Sequence, residues 1–136
     1  MRAVLDVNVL ISALLAPAGS SAAILLHWLR GAFDLVVNAD LLAELTAALR
    51  YPKLLARIAP GDGAAFVDLL KREALVAEST ALPPPARSRD PRDDYLLALA
   101  AAANAVLVSW DRDLLDLPGV PVQSPPQFLE SMGTGE

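Results

Sequence analysis

The chain opens with a short apolar run, residues 1–6, that ends on Asp6. Beyond this acid, apolar residues recur at the three- and four-residue spacing of a helix, at Val9, Leu10, Ala13 and Leu14. A second run, residues 33–37, ends at Asn38, which is a favourable helix N-cap. Helical spacing follows it at Leu41, Leu42, Leu45, Ala48 and Leu49. Both patterns predict a strand followed by a helix.

The middle of the chain has weaker periodicity. Residues 51–71 predict one or two helices interrupted at Pro60, Gly61 and Gly63, followed by a short third strand at residues 75–77. Residues 82–89 contain three consecutive prolines and predict a connector within the domain.

A further strand and helix pattern fills the C-terminal part. Asp90 before Pro91 predicts an N-cap, and the Ala- and Leu-rich helix after it runs to about Asn104. Residues 105–109 predict a fourth strand and residues 120–122 a fifth. Strands that alternate with helices indicate an α/β fold with a parallel sheet covered on both faces.

Composition narrows the class of protein. With 136 residues we expect a single domain over 1–136, whose last residues, about 131–136, are a flexible tail. The apolar runs are too short to cross a membrane, and the N-terminus lacks the pattern of a signal peptide. The absence of cysteine fits a reducing compartment, so we expect a cytoplasmic protein.

The net charge of −5 argues against a broad basic surface for nucleic acid. That argument weakens if several acids hold divalent cations, since the cations then meet the phosphate. The acidity also allows a basic partner segment to dock.

Two acids follow predicted strands. Asp6 ends the first strand and Asp111 follows the fourth, and ligands of an open α/β sheet bind at the carboxyl ends of the strands. An acid at the end of a buried strand is costly to desolvate without a cation, a metal or several donors.

Two further acids lie on predicted helices. Glu44 flanks the apolar stripe of its helix and would emerge where the helix meets a cleft. Asp93 precedes Leu96, Leu97 and Ala100 and should turn toward the sheet, whereas Asp94 should lie with Ala98 and Ala101.

Carboxylates are the ligands that Mg²⁺ and Mn²⁺ prefer. A metal in such a site lowers the pKa of a bound water and neutralises charge on a phosphodiester, which is the chemistry of nucleic acid hydrolysis.

Each acid also has an ordinary structural interpretation. Taken alone, Glu44 could be a solvated helix acid and Asp93 a favourable charge at a helix start. Asp111 and Asp113 could shape a turn, which for Asp113 is the favoured interpretation. The single histidine, His27, lies beside Trp28 in an apolar segment and is expected to be packed.

Four segments together resemble the PIN domain family, in particular bacterial toxins of toxin–antitoxin pairs related to the VapC type. The segments are Leu-Asp-Val-Asn-Val-Leu at 5–10, Leu-Leu-Ala-Glu-Leu at 41–45, Arg-Asp-Pro-Arg-Asp-Asp at 89–94 and Val-Ser-Trp-Asp-Arg-Asp-Leu-Leu at 108–115. A Pro-Gln-Phe-Leu run at 126–129 extends the likeness to nearly the whole chain.

The resemblance implies a three-layer α/β/α fold with a five-stranded parallel sheet, and endonucleolytic cleavage of RNA with one or two Mg²⁺ ions, for which Mn²⁺ could substitute. It implies a cognate antitoxin and a homodimer. The implied metal ligands and catalytic residues are Asp6, Glu44, Asp93 and Asp111.

Supporting roles follow from the same resemblance. Asn8 would brace the first carboxylate, the Ser109 hydroxyl would orient a ligand or a water, and Asp113 would be an outer participant. One position departs from the family: Trp110 stands where a small or polar residue is usual. Its indole could block a strand of RNA or provide a platform for a base.

Two other functions compete. In a phosphoaspartyl phosphatase or receiver domain Asp6 would be phosphorylated, but the two lysines, Lys53 and Lys71, are in predicted helices and not at a strand end. Trapping a phosphoryl analogue on Asp6 would favour that class. The second is an inactive module that has the same fold and only binds RNA or protein. Such a module would not need the four acids, so their presence argues against it.

Overall fold

The computed structural model describes residues 1–78 and 93–132. Within them the chain forms five strands: β1 (Arg2–Leu5), β2 (Asp34–Val37), β3 (Leu75–Val76), β4 (Val106–Val108) and β5 (Val122–Gln123). The same residues form eight helices: α1 (Val7–Leu15), α2 (Ser20–Leu29), α3 (Ala39–Ala48), α4 (Pro52–Leu55), α5 (Pro60–Glu73), α6 (Asp94–Ala102), α7 (Arg112–Leu115) and α8 (Pro125–Ser131).

All five strands are parallel, and their order across the sheet is β3-β2-β1-β4-β5. The chain therefore builds outward in one direction from β1 and then returns to add β4 and β5 on the other side. The order reverses between β1 and β4, and a crevice forms outside the carboxyl ends of the strands at such a point. This is the predicted α/β fold with a five-stranded parallel sheet and helices on both faces.

The core is continuous across the sheet. Three residues of β1, Ala3, Val4 and Leu5, are completely buried, and α6 packs against β1 and β4. Helix α8 joins the core through Phe128, whose ring meets that of Phe33 edge to face with centroids 5.2 Å apart. The strands carry few polar side chains because both faces of the sheet are covered.

Helix α3 starts where the sequence predicts. The Asn38 side chain accepts a hydrogen bond from the Leu41 amide at 2.9 Å, so it satisfies one of the free N–H groups at the helix start. Two helices, α4 and α5, form in residues 51–71, which is one of the two predicted alternatives, but the break between them lies at 56–59 and not at the predicted Pro60, Gly61 and Gly63. Pro60 is the first residue of α5, where its fixed φ and missing N–H are tolerated, and the two glycines lie in the first turns of the same helix.

Other boundaries differ by a few residues. The second strand begins at Asp34, the fourth is confined to Val106–Val108, and the fifth lies at Val122–Gln123. Helix α8 ends at Ser131, where the predicted tail was expected to begin. The predicted connector at 82–89, the predicted cap at Asp90 and the last residues, 133–136, lie outside the described residues.

Within residues 1–78 and 93–132, no single helix is long and apolar enough to cross a membrane. Helices α1 and α2 would meet those criteria only as a pair, and they are bent by 99°.

Candidate functional site

The sheet register brings the first two candidate residues side by side. Leu5 at the end of β1 pairs with Val108 at the end of β4. The next residue of each strand, Asp6 and Ser109, is therefore adjacent at the carboxyl edge, and Ser109 Oγ donates to Asp6 Oδ2 at 2.7 Å. This contact lies at the point where the strand order reverses.

Asp6 is a buried carboxylate, only 6% exposed. Its burial raises the pKa of the Asp6 carboxyl above the usual 3.8, the hydrogen bond from Ser109 opposes that change, and the charge of Glu44 raises the pKa further. The ionised form is therefore disfavoured by its surroundings. A cation nearby would reverse that balance.

The Ser109 hydroxyl uses its full hydrogen-bonding capacity. It donates to Asp6 and accepts from the Asp111 amide at 2.9 Å and from Asn8 Nδ2 at 3.4 Å. Asn8 Nδ2 also contacts Asp6 Oδ2 at 3.3 Å, which is the bracing hydrogen bond expected of Asn8. The orientation of the Asp6 carboxylate is thus set by two side chains.

Glu44 reaches the same edge from α3. It is exposed, and Tyr95 Oη donates to its Oε1 at 2.5 Å. Burial is the largest of the causes that raise the pKa of the Tyr95 hydroxyl above its ordinary value. The hydrogen bond to Glu44 and the negative charges of Glu44, Asp6 and Asp93 raise this pKa further. Tyr95 therefore remains a protonated donor in the midst of three acids.

Asp93 and Asp94 were predicted to lie on two different faces of their helix. Asp93 is the half-buried N-cap of α6, and its charge acts on Tyr95, as expected for a residue facing the acidic edge. Asp94 was expected to lie with Ala98 and Ala101, away from the side that turns toward the sheet, and it is only 8% exposed. Of its two predicted neighbours, Ala98 is buried and Ala101 is exposed.

Asp111 joins the site through the backbone. Its amide donates to Ser109 Oγ, while its own Oδ1 accepts from the Asp113 amide at 2.9 Å and so caps α7. The turn-forming interpretation of Asp111 is thus present in the structure, beside Asp6 and Ser109. Asp113 is exposed in the first turn of α7.

Glu44 thus binds the Tyr95 hydroxyl, the charges of Asp6 and Asp93 also act on that hydroxyl, and Asp111 is linked to Asp6 through Ser109. All four acids lie at the carboxyl edge of the sheet or on helices that begin there. In the part of the chain that the structure describes, no three Asp, Glu or His side chains are arranged closely enough to hold a metal ion.

Tyr95 was missed from the sequence. In the Ala- and Leu-rich α6 it resembled one more core aromatic, and its contact with Glu44 spans 51 positions. The available signal was chemical: a tyrosine in an apolar helix needs a partner for its hydroxyl. Ser12 and Ser21 were missed too, and both accept from Trp110 Nε1, at 3.2 and 3.1 Å.

The lysines do not approach this edge as a phosphoaspartyl mechanism would require. As predicted, both lysines lie in helices, Lys53 in α4 and Lys71 in α5, and both are exposed. Lys71 instead lines a groove of about 320 Å³ between α3, α4 and α5, together with Leu49, Arg50 and Ile58.

Comparisons with known proteins agree with the resemblance. A family model described as the PIN domain matches residues 2–113. No curated protein sequence matches the chain.

Two solved structures share the fold. The VapBC2 complex of Rickettsia felis, bound to a DNA fragment from its promoter, contains a chain that is 14% identical, with a TM-score of 0.64, covering 91% of this chain and 98% of that one. The protein PAE2754 of Pyrobaculum aerophilum is 18% identical, with a TM-score of 0.65, covering 98% of this chain and 90% of that one. The family match extends over most of the chain and includes Asp6, Glu44, Asp93 and Asp111, so the protein belongs to the PIN domain family.

Proposed function

We propose that this protein is a metal-dependent endoribonuclease that hydrolyses phosphodiester bonds of RNA. The observation that carries the proposal is Asp6, a carboxylate 6% exposed at the end of the central strand, with a second acid, Glu44, raising its pKa. Burial of the Asp6 carboxylate within the electrostatic influence of a second acid is unfavourable unless a cation offsets their charge.

The donor chemistry fits a hard divalent cation. Asp6, Glu44, Asp93 and Asp111 offer only oxygen atoms, the ligand type that suits Mg²⁺ or Mn²⁺, and the chain has no cysteine to compete. When bound, the ion would activate a water and neutralise charge on the phosphate. In this proposal the four acids hold the ion directly or through its bound waters, since no three acids of the described residues lie close enough to bind it together.

The surrounding residues position these acids. Ser109 and Asn8 orient Asp6, and a serine whose hydroxyl is saturated cannot turn away without losing several hydrogen bonds. Tyr95 directs one oxygen of Glu44 toward the same edge. Asp113 is an outer participant through its amide contact with Asp111.

The test is cleavage of single-stranded RNA with MgCl₂ or MnCl₂, with and without chelator. We expect wild type to cleave, and both chelator and Asp6→Asn to abolish cleavage. Asp34→Asn is the matched control because Asp34 is an exposed acid at the start of β2, on the opposite edge of the sheet. Cleavage that survives chelation and Asp6→Asn would remove the metal mechanism.

The biological setting in this proposal is a cytoplasmic toxin with a cognate antitoxin. Support comes from the shared fold with a chain of the VapBC2 complex. The groove between α3, α4 and α5 is lined by apolar residues and by two basic residues, Arg50 and Lys71, against one acid, Asp68, which suits a partner segment with apolar and acidic residues. Co-expression with the neighbouring reading frame, followed by purification of a stable complex that lacks RNA cleavage, would test this.

The proposed homodimer would form through apolar helices. Leu26 and Leu29 of α2 are 51% and 54% exposed, which is unusual for leucines of one helix face in a monomer. Light scattering at micromolar concentration is the measurement, and a monomer would contradict the dimer.

A further inference from the structure

Trp110 is an exposed aromatic residue inside the acidic edge. It lies between Ser109, which binds Asp6, and Asp111, and its side chain is 43% exposed. The other tryptophan of the chain, Trp28, is 7% exposed and belongs to the core. Trp110 is therefore a large apolar surface that folding leaves in contact with solvent.

The indole is nevertheless held in one orientation. Its Nε1–H donates to Ser12 Oγ at 3.2 Å and to Ser21 Oγ at 3.1 Å, and these hydroxyls hydrogen-bond each other. The Trp110 amide donates to Asn8 Oδ1 at 3.3 Å. One edge of the ring is fastened to α1 and α2 while much of the rest of the side chain is uncovered.

These hydrogen bonds do not explain why the apolar part of the Trp110 side chain is left exposed to solvent. Fastening the loop to α1 and α2 requires only the N–H group, whereas leaving apolar surface in water is unfavourable. A rigid, exposed ring beside a site for phosphate is the arrangement by which proteins stack bases of single-stranded nucleic acid.

We propose that Trp110 is the stacking platform for one nucleobase of the single-stranded RNA that is cut at the acidic edge. This inference rests on the proposed ribonuclease function and specifies how the enzyme binds a base of its RNA substrate. A base contact matters here because the net charge of −5 repels the phosphate backbone. Stacking tolerates any base. Purines should bind more tightly than pyrimidines because they offer the larger face.

The first test measures binding of a short fluorescein-labelled oligoadenylate in MgCl₂ by anisotropy. All proteins carry Asp6→Asn so that the RNA stays intact. Replacement of Trp110 by Ala or Leu should weaken binding by about 5- to 150-fold, whereas Trp110→Phe, which keeps a flat ring, should stay within about threefold. Equal affinity of the Ala, Leu and Trp proteins, or no binding by any of them, would overturn the proposal.

The matched control ligand for the oligoadenylate is a ribose-phosphate oligomer without bases. If Trp110 stacks on a base, Trp110→Ala should have no effect on binding of this abasic chain. An equal loss for both ligands would mean that Trp110 supports the loop and not the base, which would contradict the proposal.

Intrinsic fluorescence provides a readout that does not depend on how well the Ala variant folds. Oligoadenylate should quench the emission of the Trp110 protein and leave that of Trp110→Phe, which retains only the buried Trp28, unchanged. Quenching of equal size in both proteins would reject stacking on Trp110.

The double variant Ser12→Ala, Ser21→Ala keeps the ring but removes its fastening. We expect a smaller loss of affinity than for Trp110→Ala, and Ser131→Ala, on α8, serves as the control. An affinity as high as that of the parent would show that the fastening plays no part in stacking.

Failure of this inference and failure of the proposed function give different results. If the otherwise wild-type protein cleaves RNA and Trp110→Ala cleaves with the same KM, only the stacking proposal fails. If Trp110-dependent binding is observed but wild type cleaves no RNA in Mg²⁺ or Mn²⁺, the ribonuclease proposal fails and the stacking site stands.

Discussion

Ser109 Oγ donates a hydrogen bond to Asp6 Oδ2 at 2.7 Å, joining residues 103 positions apart in the sequence. The bond follows from the sheet register, since the strands that precede the two residues pair as Leu5 with Val108. The pairing of β1 with β4 thus places and orients an acid whose ionised form is disfavoured by burial.

Ser109→Ala tests the importance of this bond. Ser109 is completely buried, so the variant leaves the Asp111 amide without its partner and leaves Asp6 Oδ2 with only the longer side-chain hydrogen bond from Asn8. We expect the free energy of unfolding to fall by about 1–3 kcal/mol. Loss of an orienting group should lower RNA cleavage by about 10- to 100-fold. Urea denaturation and initial rates are the measurements, and wild-type values of both would contradict the assigned role.

Asp6→Asn should change how stability depends on pH. Because the folded-state pKa of Asp6 is raised above 3.8, its contribution to stability is fully present below that value and is lost as the pH rises through the folded pKa. Asparagine does not ionise. The variant, measured without metal, should therefore gain stability relative to wild type as the pH rises above about 4.

Thermal unfolding across that pH range measures this effect, with Asp34→Asn as the control. Adding MgCl₂ should raise the Tm of wild type and leave that of Asp6→Asn unchanged. A stability difference that is constant with pH would show that Asp6 is not destabilised when ionised.

Tyr95→Phe removes the hydroxyl that donates to Glu44 while keeping the ring that packs in α6. If Tyr95 positions Glu44 as a ligand, the concentration of Mg²⁺ needed for half-maximal cleavage should rise by about 10- to 100-fold, with little change in the maximal rate. A magnesium titration of the cleavage rate separates these two quantities. An unchanged magnesium requirement would make the hydrogen bond purely structural.

Asp93→Asn and Asp94→Asn distinguish two adjacent acids of different burial. Asp93 is one of the proposed metal ligands, so Asp93→Asn should lower cleavage by about 100-fold or more while the protein remains folded. Asp94 is 8% exposed in the first turn of α6, and its replacement should chiefly lower stability. The measurements are the cleavage rate and the melting temperature of both variants. Loss of cleavage in Asp94→Asn with loss of stability in Asp93→Asn would make Asp94 the metal ligand.

The strands, the parallel sheet and the position of Asp6 could be predicted because they depend on local patterns. A short apolar run that ends on an acid before helical spacing indicates a strand followed by a helix, and the Asn38 cap needed only its own side chain and the next turn. Pro60 misled the prediction because a proline at a helix start and one that breaks a helix look alike in sequence.

The contacts around the acids could not be predicted because they depend on how helices pack across the sheet. Tyr95 meets Glu44 only because α6 and α3 approach the same edge, and Trp110 meets Ser12 and Ser21 through the fold of α1 on α2. The burial of Asp94 was missed because helical periodicity assigns a face but does not say how much of a first turn is covered.

The central claim is that Asp6, Glu44, Asp93 and Asp111 share a hard cation, and the most direct measurement is a crystal structure with Mn²⁺ located by its anomalous signal. The account predicts an ion at the carboxyl edge between β1 and β4, with Asp6 and at least two of the other three acids among its ligands or bound through its waters, at oxygen distances of about 2.0–2.2 Å for direct contacts. Mn²⁺ bound elsewhere, or absent from this edge at saturating concentration, would contradict it.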